Sequence, residues 1–397
     1  MRVSTSQIFS ASLSQINSAL YDVTRLNLMT SSQKKINTPS DDPSGMAAVI
    51  NLRDYSSALS RYTDNCSTAG NYLSEADSVL SQASEVVTSI MELAEQGSTE
   101  TYTTEELRMM AEEMEGYLES LMALANSTFG DDYIFGGDDT DSSAFTMGLG
   151  ITVTGDGLAS SASFLSVSGS IDSAIAVRFT EDGTVGADAL DYEYSLDGGE
   201  TWTEGVLASG ASTLDLGDCQ VELVSGITVN AASDDEEGTE FLVRDAVYYE
   251  GSGEAMSVTV SDGIDVDMTS VGSEIFGGLD STGSAYSGSN LLEAVASCLA
   301  YMEAGDYEGV ASCLESLRAG QEQLLAGASS VGARETKVST MEESLGVISE
   351  VTDNSISSLE DADATQILIE LEQANYIYEA VLSSTSDIMQ MSLLDYL

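Results

Sequence analysis

The stretch Leu52–Ala94, LRDYSSALSRYTDNCSTAGNYLSEADSVLSQASEVVTSIMELA, repeats its apolar residues every seven positions. Leu52, Leu59, Cys66, Leu73, Leu80, Val87 and Ala94 make one row. Tyr55, Tyr62, Ala69, Ala76, Ala83 and Ile90 make a second row, three residues further on. A strict seven-residue repeat matches the left-handed winding of packed helices rather than a straight 3.6-residue helix. The stretch therefore predicts one helix of about 50 residues, roughly 75 Å long at 1.5 Å per residue. Its expected seam is Leu52, Leu59, Leu73, Leu80 and Val87.

The same period returns near the other end of the chain, at Val310, Leu317, Leu324, Val331, Val338, Leu345, Thr352 and Leu359. Outside the two repeats lie two shorter periodic segments. Residues 4–33 carry Phe9, Leu13, Ile16, Leu20 and Val23 at alternating steps of four and three, one apolar stripe of a helix. Ile367, Leu371, Ala374, Tyr378, Val381, Thr385 and Ile388 follow the same steps towards the C-terminus. A helix with one apolar stripe is marginal alone, so these two are expected to pack on each other. A further helix begins after Thr104, with Glu105 and Glu106 at its positive end.

The chain has only two prolines, Pro39 and Pro43, in Thr38-Pro-Ser-Asp-Asp-Pro43. Each biases the residue before it away from helix. Ser40, Asp41 and Asp42 are cap residues, and Pro43 suits a first turn, where no amide donor is needed. Pro39, Asp41, Asp42 and Pro43 thus read as the joint that ends one helix and starts the long one.

Between about 140 and 275 the composition shifts to Gly, Ser, Thr and Asp, with β-branched runs at Ile151–Thr154 and Met256–Val260. This pattern predicts an all-β region with frequent turns. Two similar tetrapeptides bracket it, Ile134-Phe-Gly-Gly137 and Ile275-Phe-Gly-Gly278. The expected fold class is α+β and multidomain: a long coiled-coil-like helical bundle made from both termini, with an inserted all-β domain. The expected divisions are a terminal helical core (1–36 with 356–397), a helical rod (37–137 with 285–355) and the insert (138–284).

The 397-residue chain has a formal net charge of -55 and no histidine. Such a charge argues against nucleic acid or an anionic membrane as partner. Lacking histidine, the chain lacks the commonest general base and metal ligand. The first residues have no apolar signal-peptide core, and no uncharged apolar run reaches 18 residues, so neither a cleaved signal nor a membrane span is expected. Cys66, Cys219, Cys298 and Cys313 have no metal-site spacing and read as unpaired thiols. Acidic clusters at Asp138-Asp139, Asp234–Glu237 and Asp262–Asp267 lack the calcium-loop pattern and read as solvated surface. No catalytic, cofactor or metal site is expected.

Ser195-Leu-Asp-Gly-Gly-Glu-Thr-Trp202 resembles the Asp-box, a β-hairpin device in which Ser195, Asp197, Gly199, Thr201 and Trp202 stabilise a turn. It opens a rival reading, a glycan-binding or carbohydrate-active insert. Against that, a site for an acidic sugar needs several arginines, and the middle region offers Arg178 and Arg244.

Taken together, Met1-Arg-Val-Ser-Thr-Ser-Gln7, Thr38–Pro43, Asp132-Tyr-Ile-Phe-Gly-Gly137 and Ile388-Met-Gln-Met-Ser-Leu-Leu-Asp-Tyr-Leu397 resemble the flagellin superfamily. Within it they resemble the hook-associated proteins of the hook–filament junction more than the filament subunits. The resemblance covers 1–137 and 285–397. It implies a structural component of the bacterial flagellum, exported by the flagellar secretion system without a cleaved signal. It further implies helical assembly, with the preceding junction protein, flagellin, other copies of this chain and an export chaperone as partners. The assembly interface it implies is Leu13, Ile16, Leu20 and Val23 with Leu371, Tyr378, Val381 and Ile388. A filament-forming flagellin remains a second reading of the same fold.

Overall fold

In the computed structural model the described residues are 5–155, 163–232, 238–281 and 283–394, with only the backbone described for Thr5, Ser6, Ile8 and 388–394. They form two compact units, Met1–Asp64 with Glu342–Leu397, and Asn65–Met341. The division falls inside two long helices, Pro43–Gly97 and Tyr307–Glu360, that contribute to both units.

The first unit holds α1 (Thr5–Ser32), the start of α2 (Pro43–Gly97), the end of α6 (Tyr307–Glu360) and α7 (Ala364–Leu394). Helices α1 and α7 pack on each other through Leu26, Ile367 and Ala374, with Val23, Met29, Ala362 and Leu371 around them. The α7 face is the one its spacing describes: Ile367, Ala374 and Thr385 are buried, and Leu371, Tyr378 and Val381 half-buried. The α1 face is rotated from the expected stripe. Ser12, Ala19 and Leu26 are its buried positions and Ile16 and Val23 are half-buried, while Leu13 and Leu20 remain 44% and 45% exposed. Small side chains at Ser12 and Ala19 let the backbones approach, so the larger leucines turn outward.

In the second unit α2 runs antiparallel to α6: Arg318 pairs with Glu95 at 3.1 Å, Gln321 donates to Thr88, and Gly70 faces Val338. Cys66, Leu73, Leu80, Val87 and Ala94 are buried on α2, as are Val310, Leu317, Leu324, Val331 and Val338 on α6. The outer heptad positions belong to the first unit, where Leu59 is buried, Leu52 half-buried and Tyr55 exposed. Helix α3 (Thr104–Ala125) opens with a capping box between Thr103 and Glu106 and buries Leu107, Met114, Leu118 and Leu121. Helix α5 (Leu291–Glu303) precedes α6.

A short hairpin, β1 (Thr128–Phe129) with β2 (Asp132–Tyr133), leads into the β region. There β3 (Phe145–Val153), β4 (Phe164–Gly169), β5 (Ile175–Phe179), β6 (Gly183–Thr184), β7 (Leu190–Ser195), β8 (Thr203–Leu207), β9 (Thr213–Asp215), β10 (Cys219–Leu223), β11 (Thr228–Val229) and β12 (Glu240–Tyr249) follow in sequence. A five-stranded antiparallel sheet in the order β3-β12-β5-β7-β8 accompanies a three-stranded sheet β4-β10-β9. Their shared core holds Phe179, Leu190, Tyr192, Leu214, Val221 and Phe241. The strands alternate buried and open positions, as in Ile175, Val177 and Phe179 of β5, so one face of each sheet is apolar. A last hairpin, β13 (Ser257–Ser261) and β14 (Ile264–Asp267), precedes the one-turn α4 (Gly272–Ile275). The two Ile-Phe-Gly-Gly repeats meet: Phe135 and Phe276 lie edge to face at 5.2 Å, and the Gly272 amide donates to the Phe135 carbonyl at 2.9 Å.

Candidate assembly interface

Chain direction changes twice in the first unit, at 33–42 and at 361–363, and the two joints are tied together. Helix α1 ends at Gln33, whose φ of +58° is the one positive value among the described non-glycine residues. This left-handed residue turns the chain so that Lys34 bridges Asp361. The Lys35 amide donates to the Glu360 carbonyl at 2.7 Å, and the Ala362 amide to the Gln33 carbonyl at 3.0 Å. The Glu360 carboxylate, with its side chain 6% exposed, sits between Lys34 Nζ at 2.9 Å and Arg53 Nη2 at 2.5 Å. Lys35 Nζ reaches the Ser358 carbonyl at 2.9 Å. Basic residues from the N-terminal side thus neutralise the acidic C-terminal side at one place.

The proline stretch builds the α1–α2 joint from two carboxylates with separate jobs. Asp41 Oδ2 accepts from the amides of Thr38 and Asn37 at 2.8 and 3.0 Å, closing the turn over Pro39. Asp42 caps α2: its Oδ1 accepts from the Gly45 amide at 3.0 Å and from the Ser44 amide and hydroxyl at 3.1 and 2.9 Å. Pro43 takes the first helical position, where its missing N–H costs nothing. The Thr38 amide holds the Asp41 carboxyl below its ordinary value, and the Gly45 amide with the Ser44 hydroxyl does so for Asp42. Ser40 bonds the Thr38 hydroxyl instead of capping the helix. A Cβ on Gly45 would overlap the Asp42 carboxylate and stand 2.8 Å from Ile36 Cδ1, so glycine there lets cap and buried Ile36 close together. Asp363 caps α7 in the same way, accepting from the Thr365 amide at 2.8 Å.

Most of the exposed large apolar side chains among the described residues lie in this unit, although it holds less than a third of the chain. Phe9, Leu13, Leu20, Tyr21 and Leu28 face outward on α1, and Leu368, Ile369, Tyr376, Ile377 and Leu382 on α7. Val347 and Val351 of α6 add to them. Clustered exposed apolar surface marks a site of association. Of the eight residues expected at the interface, Leu13 and Leu20 are open, while Ile16, Val23, Leu371, Tyr378 and Val381 are half-buried on the α1–α7 faces. The Ile388 side chain lies outside the described residues, as do Met1–Ser4 and Asp395–Leu397 of the terminal motifs and the Asp234–Glu237 cluster.

The Asp-box segment forms a turn in the second unit. Ser195 donates to Asp197 Oδ1 at 2.7 Å and accepts from the Gly199 amide at 2.7 Å, and the Thr201 amide donates to Asp197 Oδ1 at 2.8 Å. The Thr201 hydroxyl and amide hold the Asp197 carboxyl far below its ordinary value. Trp202 stacks under the Arg178 guanidinium at 4.1 Å. Sequence reasoning missed what the turn touches. Arg108 of α3 donates to the Asp197 carbonyl, to the Glu303 carbonyl at 3.3 Å and to Glu200 at 3.0 Å. A Cβ on Gly198 would overlap the Glu303 carbonyl oxygen. The turn is therefore a clasp between the β region and helices α3 and α5. Burial pushes the Glu303 carboxyl up to about 7, although the Ala174 amide donates to it at 2.6 Å. A second clasp is the buried pair of Arg244 on β12 and Glu293 on α5 at 2.8 Å. The lone positive charges at 108 and 244, placed amid an acidic chain, were the available signal.

Two family models match. Residues 3–140 match the bacterial flagellin N-terminal helical region, and residues 316–397 match the bacterial flagellin C-terminal helical region. Flagellar hook-associated protein 3 of Salmonella typhimurium is 28% identical over 151 residues, 38% of this chain and 48% of that protein. Its Escherichia coli counterpart is 28% identical over 156 residues, 39% of this chain and 49% of that protein. The chain spans about half the length of each of these relatives. Among solved structures, a putative flagellar hook-associated protein from Vibrio parahaemolyticus aligns with a TM-score of 0.49 at 15% identity, over 81% of this chain and all of that one. Bacillus cereus FlgL aligns with a TM-score of 0.43 at 14% identity, over 77% of this chain and 99% of that one.

Proposed function

We propose, since this chain belongs to the flagellin family, that it is a structural subunit of the bacterial flagellum and acts at the hook–filament junction. The observation that carries the proposal is the α1–α7 pair, which buries one face internally and leaves a second set of large apolar side chains uncovered. A surface of that kind is satisfied by neighbouring subunits, so the terminal helices are the assembling part and the β region is the appended part. The junction, rather than the filament, is favoured by the two relatives, both named flagellar hook-associated protein 3. The Thr38–Pro43 joint supports the same choice. The partners are the preceding junction protein, flagellin and other copies of this chain, with an export chaperone before assembly. Export by the flagellar secretion system without a cleaved signal and an extracellular site at the flagellum belong to this reading. Chemistry on a substrate plays no part in it.

Labelled protein in a motile cell should appear as one spot at the distal end of each hook. Staining along the filament would instead identify a filament subunit, as would long filaments grown from the purified protein alone. The interface itself is tested by two neighbouring substitutions on α1. Leu20→Asp, on the open face, should keep the helical content of the isolated chain and abolish junction assembly. Ala19→Asp, on the buried face, should unfold the terminal pair. Full filaments built on Leu20→Asp would refute the assignment of the interface.

A further inference from the structure

Helices α5 and α6 form an antiparallel hairpin with Ala304–Asp306 at its turn. They approach unusually closely. A Cβ on Gly309 would overlap the Tyr301 ring, and one on Gly320 would stand 2.9 and 3.0 Å from the Cβ and Cα of Leu291. The pair Leu291–Gly320 therefore fixes the register. Seven residues further along α5, and seven back along α6, stand Cys298 and Cys313. The register alone puts these two cysteines opposite each other at a close crossing.

We infer that Cys298 and Cys313 are a dithiol that closes a disulfide across the α5–α6 hairpin when the folded chain meets a disulfide oxidant. Both thiols are buried, and each lies within hydrogen-bonding reach of the other. Cys313 also lines a polar cleft with Ser297, Tyr301, Ser312 and Ser316, which gives a small oxidant a route to it. The close contacts Gly320–Leu291 and Gly309–Tyr301 flank the two cysteines on either side, and close approach of the backbones is the main geometric demand of a disulfide. Cys66 and Cys219 sit on other elements, α2 and β10.

Glutathione disulfide serves as the oxidant. The Cys313 thiolate attacks one of its sulfurs, forming a mixed disulfide and releasing one glutathione thiolate, which takes up the proton Cys313 lost. The Cys298 thiol then gives up its proton and attacks the Cys313 sulfur, releasing the second glutathione as a thiol. Two cysteine thiols are oxidised and one disulfide is reduced. The inference stands on the hairpin and is independent of the role proposed above.

The test uses the full reduced chain, incubated under native conditions with glutathione disulfide. Remaining thiols are then blocked with N-ethylmaleimide in denaturant, and the chain is cut at Asp and Glu without reduction. Glu303, Asp306 and Glu308 lie between the two cysteines, so a bridge shows as two peptides held together. The expected result is that linked pair, with the blocking group confined to Cys66 and Cys219. Four blocked cysteines, or a bridge that includes Cys66 or Cys219, would overturn the inference. In Cys298→Ala the glutathione adduct on Cys313 should persist, because nothing resolves it. A Cys313 left unmodified there would overturn the order of attack.

Discussion

A glycine replaced by alanine inside a helix ordinarily stabilises it, by about 1 kcal/mol. Gly45 lies in the first turn of α2, and there the sign should reverse. The new Cβ would overlap the Asp42 carboxylate and stand 2.8 Å from Ile36 Cδ1. Neither neighbour can yield freely. Asp42 is held by the Ser44 and Gly45 amides, and Ile36 is 4% exposed. Losing the cap costs about 1 kcal/mol, and overpacking around Ile36 about 1–3 kcal/mol. Against the propensity gain, Gly45→Ala should destabilise the joint by about 1–3 kcal/mol. Hydrogen exchange of the peptide spanning 36–50 reads this locally, with a tenfold faster exchange for each 1.4 kcal/mol, whereas global unfolding of a chain with two units would mix their contributions. Asp42→Ala removes the cap and one of the two obstacles while Ile36 remains, so Gly45→Ala should cost about 1 kcal/mol less in that background. Unchanged or slower exchange in Gly45→Ala, or strict additivity with Asp42→Ala, would refute the reasoning.

Two further outcomes follow from the charges. Glu360→Ala should loosen the exchange of the Lys35 and Ala362 amides by about 1–2 kcal/mol, less than for a fully buried pair because Lys34 and Arg53 are partly open to water. Unaltered protection of both amides would show that the backbone bridge holds the joints alone. Glu303 gives a pH dependence of definite sign. Its carboxyl is raised to about 7 in the fold, so folding favours the protonated form. That stabilisation is complete below the ordinary carboxylate value and is lost as pH rises towards and through 7. The clasp of residues 195–202 should exchange faster at pH 8 than at pH 5.5 after correction for intrinsic rates, and Glu303→Gln should flatten the difference. The fluorescence of Trp202, the single tryptophan, gives a second readout; a pH profile identical in Glu303→Gln would contradict the assignment.

The helices were legible because their periods are long and strict. The heptad rows from Leu59 to Ala94 and from Val310 to Thr352 are buried almost without exception. The proline joint was also legible, since caps and first-turn prolines act through residues close in sequence. The face of α1 was misjudged for a physical reason. Leucines mark where apolar area is greatest, but two helices in close contact are held by small residues such as Ser12, Ala19 and Ala374. The large residues beside them are then free for other contacts. Contacts between distant segments left no local trace: Glu360 with Arg53, Arg108 with the Asp197 carbonyl, and Phe135 with Phe276. The repeated Ile-Phe-Gly-Gly marked two boundaries in sequence, but not that they touch.

That touch has a consequence for how the chain can change. Because Phe135 and Phe276 meet at 5.2 Å, everything between them leaves and returns through one doorway. Closing a longer or shorter excursion there costs only about 0.6 kcal/mol for each doubling of length. A domain grafted in place of residues 138–274 would leave the flanking helices at the same spacing. The restriction lies in what the β region gives the helices: Arg108 of α3 holds the Asp197 carbonyl, and on α5 Ala300 packs against Ala174 and Leu242 and Glu293 needs Arg244. A replacement that covers that helix and brings a cation to Glu293 is the one the scaffold should accept.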